Sequence, residues 1–156
     1  MNNSLAITVK LPVSIDTAWA AIQDWESQSN WMLLTKVWVT SQIREGIGTE
    51  IEAFTGLIPS KKFFGILDSM RVTQWNPPYS CEVLHTGKII KGTGIFRLEK
   101  INDKETLFHW SEIVIAPRAL FLLTLPGLYL GVRISLSRFA RALVGTGTPG
   151  EYSHPL

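Results

Sequence analysis

The chain has 156 residues and a mass of 17.5 kDa, which is the length of one typical domain. Apolar residues make up 46% of it and charged residues 18%, so the composition excludes a disordered chain, a coiled coil and a collagen-like fibre. A net charge of +2 is too small to predict a nucleic-acid-binding surface, and a single cysteine, Cys81, excludes an internal disulfide and a cysteine-based zinc site.

The first part of the chain predicts one strand followed by two short helices. Residues 4–13 alternate apolar and polar side chains, which is the pattern of a half-buried strand. Ser14 is a suitable N-cap, and the apolar residues that follow at helical spacing predict a helix over 15–27. A second short helix or turn is expected over 30–34.

The middle of the chain predicts an antiparallel meander. Segments rich in β-branched and aromatic residues are separated by short turns that contain Gly, Pro, Asn or Asp. Because parallel strands need long crossover connections, these short turns require antiparallel neighbours. The six segments cover residues 36–43, 49–54, 61–75, 81–86, 95–100 and 106–115.

The last part of the chain changes from a strand period to a helix period. Thr124 and Pro126 suit the start of a helix, and Gly145 suits its end. A long helix is therefore predicted over 125–144. The Gly- and Pro-rich residues that follow carry no core pattern and are expected to form a tail.

The residues around this helix start are unusually apolar. Residues 119–132 carry no charge, but they are too few for a membrane span and a Pro-Gly pair interrupts them, so no transmembrane helix is expected. Residues 120–130 are apolar nearly all round, whereas a surface helix has one apolar stripe. Something besides the sheet should cover their outer side: the C-terminal tail, a second subunit or a membrane surface.

Three stretches carry a family resemblance: "VKLPVSIDTAWAAIQDWESQSNW" near the start with Gly48 after the first hairpin turn, "FHWSEIVIAP" near the end, and the Leu-rich run into an Arg-containing terminal helix. In these residues and in its order of elements the chain resembles the START-like helix-grip superfamily (SRPBCC), in its polyketide cyclase/dehydratase and lipid-transport branch. The resemblance covers about residues 4–145.

The resemblance implies an α+β fold. A curved antiparallel sheet of about seven strands would wrap around a long C-terminal helix, with two short helices after the first strand. Proteins of this family usually hold a cavity for a lipid, sterol, polyketide or hormone between sheet and helix, and a minority are cyclases or dehydratases. We expect a single domain over residues 1–145, a tail over 146–156 and, because the N-terminus has no apolar signal sequence, a cytoplasmic protein.

The candidate ligand-binding residues are those that would border such a cavity: Trp110, Glu112, Phe108, His85, Phe96, Leu128 and Val132. If Glu112 faces inward with Trp110, its carboxylate is buried and either pairs with Arg71 or Arg97 or has the raised pKa of a general acid or base. His85 lies on an apolar strand face, where it is either a satisfied core residue or a polar anchor in the pocket.

The sequence thus predicts a protein that binds or carries a small apolar ligand, lipid- or polyketide-like, without a cofactor or a metal. No catalytic residue can be assigned, and whether the chain is an enzyme stays open with a preference against it. One alternative is a cyclase- or dehydratase-type enzyme that uses Glu112 and His85 for proton transfer. The other is a protein-interaction module or homodimer with an apolar groove. The expected partner is the small ligand rather than nucleic acid, and transient membrane contact is left open.

Overall fold

A computed structural model describes residues 2–56 and 65–144. Within them lie seven strands: β1 (Asn2–Leu11), β2 (Thr35–Val39), β3 (Glu50–Gly56), β4 (Gly65–Asn76), β5 (Ser80–His85), β6 (Gly92–Asn102) and β7 (Glu105–Ile115). They form one curved antiparallel sheet in the order β1-β7-β6-β5-β4-β3-β2. The predicted meander, with the first strand at one edge, is confirmed. The predicted tail and residues 61–64 of the fourth predicted strand lie outside the described residues.

The first helix, α1 (Ile15–Gln23), begins where the sequence predicts. The side chain of Ser14 caps it by accepting a hydrogen bond from the backbone N–H of Thr17 at 3.3 Å. The helix ends four residues before the end of the predicted range, 15–27. At Asp24 the backbone leaves the helical region with ψ at 77°, and aspartate is a residue whose side chain competes with helical hydrogen bonds.

The second helix, α2 (Gln28–Trp31), follows a 3₁₀ turn at Trp25–Ser27. It begins two residues before the predicted range, 30–34. Both tryptophans of this region are buried, since Trp25 and Trp31 expose 4% and 8% of their surface. The two short helices predicted after the first strand are therefore confirmed, with shifted ends.

The C-terminal helix, α3 (Arg118–Ala142), starts seven residues before the predicted range, 125–144. Pro126 therefore lies inside the helix rather than in its first turn. Thr124 does not cap the helix, because its hydroxyl donates instead to backbone carbonyls one turn earlier, at 3.0 and 3.1 Å. Burial of Phe121 in the early turns, a tertiary effect, outweighs the local preference of proline for a helix start.

The C-terminal half of α3 is the core helix of the fold. Ser135, Leu136 and Phe139 are buried. The ring of Phe139 lies 4.6 Å from that of Trp31 on α2 and 6.0 Å from that of Phe108 on β7. By length and composition alone α3 could cross a membrane. Its C-terminal half packs in the core of the fold, whereas most of its apolar stretch is exposed.

The inner, concave face of the sheet is largely apolar. On β7, Phe108 and Trp110 are buried, and on β6, Leu98 is buried while Arg97 and Glu99 are exposed. The predicted strand phases are confirmed, because successive side chains along a strand point to opposite faces. The sheet therefore directs Glu112, two residues after Trp110, to the inner face.

Candidate functional site

Three ionisable side chains meet on the inner face of the sheet. His85 at the end of β5 lies between Asp68 of β4 and Glu112 of β7. Its Nδ1 is 2.8 Å from Asp68 Oδ2, and its Nε2 is 2.9 Å from Glu112 Oε2. The side chain of His85 is 5% exposed and each carboxylate side chain 13%. We call these three residues the inner cluster.

Gly94 on β6 makes this cluster sterically feasible, and Gly92 lets β6 approach the backbone of β7 closely. Strand β6 separates β5 from β7, and Gly94 is paired with Val83 on one side and Glu112 on the other. A Cβ added at Gly94 would lie 2.8 Å from Glu112 Oε1 and 3.0 Å from Val83 Cγ2. A Cβ at Gly92, whose φ is +133°, would lie 1.8 Å from the Ile113 carbonyl oxygen. The carboxylate of Glu112 thus reaches His85 across a strand without a side chain there.

The geometry and the raised pKa of His85 both favour a protonated ring. Both ring nitrogens face carboxylate oxygens, and only an imidazolium can donate from both. Burial by itself would lower the pKa of His85, but the hydrogen bonds to Asp68 and Glu112 raise it to about 10. One cation between two carboxylates leaves the inner cluster with a net charge of −1.

One oxygen of the inner cluster remains available. Glu112 Oε2 accepts from His85, whereas Glu112 Oε1 accepts no hydrogen bond from residues 2–56 or 65–144. Both Asp68 oxygens face the same ring nitrogen, at 2.8 and 2.9 Å. The two carboxylates lie on opposite sides of the ring, and the described part of the chain holds no His, Cys, Asp or Glu group with metal-site geometry.

The partner of Glu112 differs from the two that the sequence suggested. Arg71 forms an ion pair with Glu50, and Arg97 is exposed. Each arginine is adjacent in sequence to inward-facing residues, Arg71 to Val72 and Arg97 to Leu98. Because successive side chains alternate along a strand, both arginines point to the outer face. His85 was a separate candidate in the sequence and is the partner in the structure.

Sequence reasoning missed Asp68. It lies two residues before Met70 and four before the fully buried Val72, so it occupies the inward phase of β4. An acidic residue at an inward-facing position of a strand needs a polar partner. The alternation along β4 could therefore have identified Asp68 as a residue that requires one. Its partner His85 could not be identified without the strand register, in which Met70 of β4 is paired with His85 of β5.

The other candidate residues are distributed over the interior and its border. Phe108 and Trp110 are buried, and Phe96 packs against the core as a partly buried residue. On α3, Val132 also packs against the core, whereas Leu128 keeps 36% of its surface exposed. The structure brings His85 and Glu112 into contact.

A pocket of about 1110 Å³ opens elsewhere, on β2, β3 and β4 near α2. Its walls include Lys36, Trp38, Glu52 and Phe54, which face away from the buried Val37 and Ile51 of the same two strands. The indole N–H of Trp38 donates to Glu52 at 3.0 Å. None of the candidate residues and no member of the inner cluster lines this pocket.

Three further buried polar atoms have no hydrogen-bond partner among the residues that the structure describes, and one of them is the side-chain oxygen Oε1 of Gln23. The other two belong to the indole N–H groups of Trp25 and Trp31. Buried N–H groups are usually satisfied by protein, by ordered water or by a bound molecule. The described interior thus offers two unused donors, at Trp25 and Trp31, and two unused acceptors, Gln23 Oε1 and Glu112 Oε1.

No protein-family model and no curated protein matches the chain. Solved structures do match. The chain is similar to a START superfamily protein from Mycobacterium smegmatis, with 12% identity, a TM-score of 0.72 and coverage of 90% of this chain and 98% of that one. It is also similar to the Zhui aromatase/cyclase from Streptomyces sp. R1128, with 13% identity, a TM-score of 0.68 and coverage of 94% of both chains.

A third similar structure is a norcoclaurine synthase from Thalictrum flavum, solved as a point mutant in complex with a transition state analogue. It has 8% identity, a TM-score of 0.69 and coverage of 95% of this chain and 98% of that one. At such low identities these likenesses show the fold. The START-like helix-grip fold that the sequence predicted is confirmed.

Proposed function

We propose that this protein binds a small, largely apolar ligand between the inner face of the sheet and α3, and that the inner cluster holds the polar end of that ligand. The observation that carries the proposal is three charged side chains buried on an otherwise apolar face. Apolar walls with a few converging polar groups are the usual composition of a small-molecule site.

The charge of the inner cluster selects the kind of polar group. Its net charge is −1, and its unused atom, Glu112 Oε1, is an acceptor. A hydroxyl, a phenol or a protonated amine can donate to that oxygen. A ligand carboxylate such as that of a fatty acid would place a further negative charge against Glu112 and lose its hydration without a donor.

Binding is favoured over acid–base catalysis by the protonation state of His85. A catalytic base works best when its pKa lies near the operating pH. With a pKa of about 10, only about one His85 in a thousand is neutral at pH 7. His85 therefore acts as a fixed cation that orients Glu112, and Glu112 is the group left to take a proton from a ligand.

A cyclase- or dehydratase-type enzyme is the second candidate. Two structures of similar fold are an aromatase/cyclase and a norcoclaurine synthase, which supports catalysis on this scaffold. In this chain the reaction would start with proton removal by Glu112 Oε1, the unused oxygen. Its signature is turnover of a β-polyketone substrate that Glu112→Gln stops while binding of that substrate persists.

The proposal is tested with three ligands of one chain length: a fatty alcohol, a fatty amine and a fatty acid. Displacement of an apolar fluorophore and native mass spectrometry measure binding. We expect the alcohol and the amine to bind at least about tenfold more tightly than the acid, because of the charge at the inner cluster. Glu112→Gln should reduce that preference, because it removes one negative charge at nearly constant shape.

The matched control is Glu99→Gln, on the exposed face of β6. It removes the same charge far from the inner face and should leave the preference unchanged. If none of the three ligands binds the wild-type protein, or if Glu99→Gln changes the preference as much as Glu112→Gln, the proposal is wrong. The predicted cytoplasmic location remains a prediction.

A further inference from the structure

The outward face of α3 is apolar where a surface helix is usually polar. Leu123 exposes 79% of its surface and Leu130 57%. At 100° per residue, Leu123, Leu130 and Ile134 lie within about 40° of one another and opposite the buried Phe121 and Phe139. Leu120 and Leu122, which flank this stripe, are also more than half exposed and widen it. We call Leu120, Leu122, Leu123, Leu130 and Ile134 the outer stripe.

The charges on α3 are all positive. The helix contains Arg118, Arg133, Arg138 and Arg141 and no acidic residue. Three of these arginines donate to neutral oxygens, of the Tyr129 hydroxyl and of the Asn30 and Ser137 carbonyls. Within residues 2–56 and 65–144 none of the four forms an ion pair with a carboxylate. An apolar stripe bordered by cations matches the chemistry of an anionic lipid surface.

A transmembrane position does not fit this helix. The uncharged residues 119–132 span about 21 Å at 1.5 Å per residue, against a bilayer core of about 30 Å. The following turns are packed on the sheet through Leu136 and Phe139. A symmetric contact with a second copy fits less well too, since it would bring two arginine-bearing helices together with no carboxylate on either.

We propose that the outer stripe of α3 docks in the plane of an anionic membrane surface. The leucines enter the boundary between headgroups and acyl chains, while the aliphatic stems of the arginines let their guanidinium groups reach the phosphates. This interaction does not depend on the ligand proposed for the inner cluster. Docking would place the exposed N-terminal half of α3 against the membrane, whose lipids are apolar molecules.

The test uses sedimentation with vesicles of phosphatidylcholine alone and of phosphatidylcholine with 30% phosphatidylglycerol. We expect the wild-type protein to bind the anionic vesicles at least about tenfold more strongly than the neutral ones. Leu123→Glu combined with Leu130→Glu should abolish binding, because two charges then enter the interface. The control is Ile47→Glu with Ile101→Glu. These exposed isoleucines lie in the loop between β2 and β3 and near the end of β6, outside α3, so the control should bind like wild type.

A second variant keeps the test decisive if the glutamate pair unfolds. Arg133→Gln with Arg141→Gln leaves the apolar stripe intact and should weaken binding to anionic vesicles by roughly fivefold per arginine, with no effect on neutral vesicles. Absence of wild-type binding, or equal binding by the wild type and both variants, overturns the proposal. Light scattering gives a further outcome that overturns it. If the wild type is a dimer, and Leu123→Glu with Leu130→Glu converts it to a monomer without changing vesicle binding, the outer stripe is the interface with a second copy.

Discussion

The protein should lose stability when the pH rises from 7 to 8.5, because the folded structure contains a charged His85. Its pKa is about 10 in the fold and about 6.5 in the unfolded chain. A raised pKa contributes stability that is complete below pH 6.5 and is lost as the pH rises through 10. Between pH 7 and 8.5 the free energy of unfolding should fall by about 2 kcal/mol from this one group.

Urea unfolding at several pH values in this range measures the effect. His85→Gln should remove the slope, whereas His109→Gln should keep it, since His109 bonds to Thr8 and Glu99 at the opposite face of the sheet. The series ends at 8.5 because burial raises the pKa of the Cys81 thiol to about 12, which adds a slope of the same sign near pH 9 and above. A flat wild-type profile, or an equal slope in His85→Gln, would refute the reasoning.

Three further changes test the inner cluster and α3. Gly94→Ala should push the carboxylate of Glu112 away from His85 and lower the pKa of His85, measured by NMR titration of the ring; an unchanged pKa contradicts the close approach seen at this glycine. Asp68→Asn should lower the same pKa and reduce stability by about 1–3 kcal/mol, measured by urea unfolding; equal stability would contradict a buried contact. Gly127→Ala should raise the free energy of unfolding by about 1 kcal/mol, since the helix leaves open space there; a loss would contradict a helix that continues through this residue.

The sheet could be predicted because alternation and turn length are local properties. The pattern around Phe108 and Trp110 assigned the inward face of β7, and the short turns required antiparallel neighbours. The start of α3 could not be predicted in the same way. Thr124 and Pro126 are local signals for a helix start. Burial of Phe121, four residues before the predicted start at residue 125, is a tertiary effect that overrides them.

Two of the three residues of the inner cluster could also be predicted. Alternation placed His85 and Glu112 on the inner face, and burial of a carboxylate demanded a partner. Their contact could not be read from the sequence, because β5 and β7 are separated by β6. It depends on the register of three strands at once and on the missing side chain at Gly94. The contact of Asp68 with His85 involves a fourth strand, β4, and depends on the register in which β4 pairs with β5.

The energetics of the inner cluster favour a role in binding over a role in stability. Removing three charged groups from water costs several kcal/mol per ion, and their mutual contacts offset this only in part. Replacing such clusters by well-packed apolar side chains is often neutral or stabilising. The neighbouring inner positions of these strands, Val72, Val83 and Phe108, show that this face packs well with apolar residues. Stability therefore does not account for a net charge of −1 at this place, which supports the proposal that the inner cluster anchors a donor group of an apolar ligand.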